Sequence, residues 1–113
     1  MVEQTANILE IASQSPVVQS LARRLENGVV LSCAGVDVGA QPFLAGALHR
    51  YLPGRPIVFV TDGPKAQEAA QQDLETWLGA ETRPLFYPGW EVLPHEGRLP
   101  HADVISERLE ALM

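Results

Sequence analysis

Residues 29–48, VVLSCAGVDVGAQPFLAGAL, constrain this chain more than any other stretch. An unbroken apolar run at 29–34 leads into a loop carrying Gly35 and Gly39, and Pro42 then opens a helical pattern. In this layout the sequence predicts a strand covered on both faces, a turn and a helix, as in proteins that hold a phosphate on backbone N–H groups at a helix N-terminus. A working phosphate loop reads G-x-x-x-x-G-K-[ST], with Lys on the β/γ-phosphates and a hydroxyl on Mg²⁺. Counted from Gly35, the second glycine falls on Ala40, the lysine on Gln41 and the hydroxyl residue on Pro42. Asp37 adds negative charge where a triphosphate would come. The layout is that of a phosphate loop; the side chains that would work in it are absent.

Strand and helix patterns alternate on either side. Ser15 and Pro16 open a helix whose apolar positions are Val17, Val18, Leu21, Ala22 and Leu25, and Asn27-Gly28 ends it. PIVFVT at 56–61 reads as a second strand, and a helix over 65–78 follows, ended by Gly79. Residues 83–87 read as a third strand, 88–100 as a loop with three prolines and two glycines, and 103–112 as a last helix. This order predicts βαβ units, hence a three-layer α/β domain with a short parallel sheet. Residues 1–14 read as an N-terminal extension or helix, and 1–113 as one domain. The thin sheet and the lack of a fourth strand suggest the first part of a longer protein, truncated after the third strand.

Composition narrows the function classes. The 113 residues are 46% hydrophobic and 19% charged, as expected of a folded chain. A net charge of −6 with eight scattered basic residues argues against direct binding to nucleic acid. No run approaches the ~18 apolar residues of a membrane helix, and no signal peptide is visible, which points to the cytoplasm. The one cysteine, Cys33, lies in an apolar run and reads as a small core residue rather than a nucleophile. His95, Glu96, His101 and Asp103 lack the spacing of a metal site, and Glu91 with Glu96 reads as solvated loop carboxylate. Arg23 and Arg24 read as a solvated helix face. Trp90, in a Pro/Gly loop, reads equally as an interface anchor and as a ring folded back onto its own domain.

The segment FYPGWEVLPHE at 86–96, with ISERLEAL at 105–112 behind it, resembles the N-terminal module of the bacterial transcription-repair coupling factor (Mfd) family. There an F-P-x-W-E-x-L-P-Y-[ED] stretch leads into a helix ending in x-x-R-L-x-x-L. His95 departs from the pattern, standing where the family has Tyr. The loop GVDVGAQP followed by Phe43 resembles a decayed nucleotide loop of UvrB, the damage-verifying subunit of excision repair. UvrB keeps the phosphate lysine and inserts a long hairpin after its third strand; this chain has Gln41 and about a dozen residues between Tyr87 and the last helix.

The resemblance implies a RecA/UvrB-like fold with a degenerate P-loop (Gly35, Gly39, Ala40, Gln41, Pro42), no catalytic residue and no metal. It implies a non-catalytic interaction and regulatory module, with Trp90, Glu91, His95 and Arg108 as interface residues. The parent would be an ATP- and Mg-dependent double-stranded-DNA translocase that displaces stalled RNA polymerase and recruits UvrA, mainly through the domain that follows this one. An ATP-hydrolysing UvrB-like helicase subunit and an unrelated α/β domain for a phosphorylated ligand are the alternatives.

Overall fold

The computed structural model describes residues 2–80 and 82–113, with side chains from Ile8 onward. Five α-helices carry the fold: α1 (Val2–Ser13), α2 (Pro16–Glu26), α3 (Gln41–Tyr51), α4 (Pro64–Leu78) and α5 (Ala102–Leu112). Short 3-10 turns at Val38–Ala40 and Pro94–Glu96 precede α3 and α5. The helix limits follow from local chemistry. Pro16 and Pro64 occupy first-turn positions, where a missing N–H costs no hydrogen bond. Gly28 (φ 77°) follows α2 and Gly79 (φ 74°) ends α4, each in a conformation that a Cβ would disfavour. Ser15 precedes α2 with extended backbone but makes no side-chain cap, so the proline, not the serine, sets that start.

α1, α3 and α4 pack on one another, with α2 against α1 and α3. Small residues let the axes close up: Ala47 is fully buried, and a Cβ built on Gly46 would lie 3.3 Å from a Leu9 methyl and 3.7 Å from the Trp77 Cβ. Leu9 (2% exposed), Val18 and Ala47 form the core, flanked by Phe43, Leu44 and Leu48. Phe43 meets Trp77 edge-on across α3 and α4, with ring centroids 4.7 Å apart. Residues 1–14, read as an extension or a helix, thus supply through Leu9 a large share of the core.

The expected α/β sheet is not formed. Among the described residues there is no strand, and 29–33, 56–61 and 83–87 are extended but unpaired. The three-layer, RecA/UvrB-like architecture is therefore replaced by a helical cluster that carries extended segments on its outside. A parallel ladder needs backbone hydrogen bonds to a second segment alongside, and among the described residues none of the three segments makes them. Pro56, Pro84 and Pro88 lack the N–H a ladder would use, and side chains of α4 and α5 take the carbonyls of Pro84, Tyr87 and Pro88. The apolar runs that read as doubly covered strands lie open, with Val30 96% and Val58 and Val60 each 85% exposed. Cys33, expected in the core, is exposed.

The small core makes Leu9 decisive. Leu9→Ala should lower unfolding stability by about 2–4 kcal/mol, the usual cost of a large-to-small core change, measured by urea denaturation followed at 222 nm. A change below about 0.5 kcal/mol would show that α1 does not pack on α3 and α4.

Candidate functional site

The chemistry-bearing residues gather in two places. The first is the loop before α3. Asp37 turns the chain: its carboxylate accepts the Val38 N–H (2.8 Å), and its carbonyl accepts the Ala40 N–H (2.9 Å). Gly35 and Gly39 both lie at ordinary negative φ, so the loop lacks the alternating backbone that turns successive N–H groups toward an anion. Ala40 caps α3 without a side-chain bond, Gln41 opens the helix, and Pro42 is buried in its first turn. A carboxylate and a proline thus occupy the end of α3 at which a phosphate would need charge-free N–H groups.

The second place is the clamp on α5. Arg108, half-buried, projects its guanidinium between two aromatic rings. Its Cζ lies 4.0 Å from the Tyr87 ring centroid and 4.0 Å from that of Trp90. The same group donates from Nη1 to the Pro88 carbonyl (2.6 Å) and from Nη2 to the Tyr87 hydroxyl (2.5 Å). The planar, delocalised guanidinium suits this combination of stacking and forked donation, which a lysine could not reproduce. From the other side α4 holds the same segment: Gln67 Nε2 donates to the Tyr87 carbonyl (2.8 Å) and Gln71 Nε2 to the Pro84 carbonyl (3.3 Å). Segment 84–87 therefore runs antiparallel to α4.

Beyond Trp90 the chain stays tied to α5. Glu91 accepts the backbone N–H of His101, and His101 Nδ1 accepts the Asp103 N–H (3.2 Å) as the cap of α5. Of the four residues expected at an interface, Trp90 and Arg108 are brought into contact, and Glu91, next to Trp90 in the chain, is held by the His101 N–H. His95 lies exposed in the 3-10 turn, with no hydrogen bond to the other described residues. The Trp90 ring is folded onto Arg108, as the second of its two readings expects, and 53% of the residue is exposed. Among the described residues no group of three or more His, Cys, Asp or Glu could hold a metal ion, and His95, Glu96, His101 and Asp103 do not converge. No helix among them is long and apolar enough to cross a membrane.

Tyr87, although within the 86–96 motif, reads only as the end of a strand, and Gln67 and Gln71 escape a reading based on motifs, because they look like the polar side of α4. Their four-residue spacing, which puts both on one helix face, is the signal that could have linked them to a neighbouring segment.

Between 56–61 and 84–87, over Ala70, Gln71 and Leu74 of α4 and Ala111 and Leu112 of α5, runs an open groove of about 860 Å³. A smaller hollow of about 350 Å³ lies between Leu9, His49 and Trp77.

Comparison with family models, with curated proteins and with solved structures gives no match for this chain.

If Arg108 holds the loop, its removal frees Trp90. Arg108→Ala in a Trp77→Phe background should shift tryptophan emission to the red and cost about 1–3 kcal/mol of stability, from the lost stacking and the charge-assisted bonds. Unchanged emission would show that Trp90 is placed by other contacts.

Proposed function

We propose that the chain is a non-catalytic interaction and regulatory module of a transcription-repair coupling factor. The reading rests on the motif at 86–96 and 105–112 and does not depend on a sheet. The observation that carries it is the joining of the two halves of that motif by one side chain, since Arg108 of the second half sits on Tyr87 and Trp90 of the first. In this reading the clamp presents the exposed edge of Trp90, beside Glu91, to another domain of the parent protein. ATP and Mg²⁺ act in the parent's motor domains, and contact with double-stranded DNA, RNA polymerase and UvrA belongs to the parent. Asp37, Gln41 and Pro42 at the start of α3 leave no favourable seat for a triphosphate, which supports a module that does no nucleotide chemistry itself.

The test adds the purified chain in trans to a coupling factor that lacks its N-terminal module. The chain should repress the motor's DNA-stimulated ATPase, and Trp90→Ala should weaken the repression at least about tenfold, as expected when a central aromatic anchor is lost. Mg-ATP should leave the melting temperature of the chain alone unchanged, whereas a bound ligand at about 100 times its Kd would add ~2.7 kcal/mol. ATP hydrolysis by the chain, or a motor indifferent to it, would overturn the reading.

A further inference from the structure

The groove over α4 and α5 has walls with unusual chemistry. Along 57–60 no backbone N–H or C=O is hydrogen-bonded to the described residues, and the N–H groups of Leu85 and Phe86 are equally open. Val58 and Val60 stand 85% exposed, and Leu85 is 60% exposed. The walls carry no charge between Pro56 and Thr61 or between Pro84 and Tyr87; Asp62 and Arg83 stand only at the ends. Six residues of extended wall span about 20 Å, the usual length of a β-strand. Such a surface fits an uncharged, extended polypeptide segment that can satisfy backbone groups and bury β-branched side chains.

The same chain carries a segment of that description without a partner. VVLSCA at 29–34 is six residues long and uncharged, extended over 29–33 before the turn at Ala34, and its residues Val30, Leu31 and Ser32 make no backbone hydrogen bond to the described residues. It lies outside its own groove, none of whose lining it forms. The surface area points the same way. A folded monomer of 12.3 kDa exposes about 6,100 Å². This chain exposes 8627 Å². The excess of about 2,500 Å² is as much as one partner gives up in a large obligate homodimer. The radius of gyration, 16.2 Å against about 13 Å for a domain of this length, agrees.

We propose that two copies of this chain form a closed dimer by reciprocal exchange, the 29–34 segment of each lying in the 56–61/84–87 groove of the other. Two equal contacts related by a two-fold axis use every groove and every segment, so the assembly stops at two. Cys33 is then covered in both copies. The inference is independent of the coupling-factor reading, which concerns the edge of Trp90.

The test uses the native 113-residue chain and its single thiol. Light scattering should give twice the 12.3 kDa chain mass at high concentration. Over the same concentration range Cys33 should lose its reactivity toward a maleimide. Val58→Lys, which changes an exposed wall residue, and Val30→Lys, which changes the inserted segment, should each give a monomer with a reactive thiol and an unaltered helical circular dichroism spectrum. Mixing the two variants should restore a dimer, because one intact groove and one intact segment remain. A chain monomeric at every concentration, a dimer in which Cys33 still reacts, or assembly beyond two copies would overturn the proposal.

Discussion

Everything in this molecule depends on the close approach of three helices around Leu9. Gly46 and Ala47 let α3 approach closely, with Leu9 of α1 and the Trp77 Cβ of α4 both within reach of a side chain at Gly46. A core of this size contributes little, since few large side chains leave water completely. The helices hold one another, and the extended segments at 56–61 and 84–87 line an open groove over α4 and α5 instead of pairing. The extended segments therefore stay at the periphery, fastened by individual side chains.

That division explains what could be read from the sequence. Helices α2 to α5 were legible because proline starts, glycine stops and 3.6-residue periodicity are local signals. The clamp was half legible: Trp90 and Arg108 stood out by residue type, but their meeting depends on the path of the 88–100 loop, which has no periodicity. The sheet was misread because an apolar run such as PIVFVT states what a segment prefers, whereas a ladder needs a second segment beside it. In 29–34, 56–61 and 83–87 the preference is present and the ladder hydrogen bonds to a neighbour are not. Cys33 was misplaced for the same reason, since its burial was inferred from the strand it was expected to join.

The loop before α3 and the clamp on α5 tell complementary stories about function. At the first, the Asp37 carboxylate accepts the Val38 N–H, Pro42 lies buried in the first turn of α3, and the glycines keep ordinary backbone angles. At the second, one arginine unites stacking and hydrogen bonding to hold a tryptophan half open to water. The polar order of the described residues is concentrated in this clamp, while the backbone along 57–60 stays open.

Residue-resolved amide hydrogen exchange on the dilute chain tests the central claim, a helical core with unpaired extended segments, most directly. Amides of α3 around Ala47 should exchange slowly, and those of Ile57, Val58, Phe59 and Val60 at nearly the rate of an unstructured peptide. Protection at 57–60 equal to that at Ala47 would mean that these residues belong to a ladder, and would contradict the account.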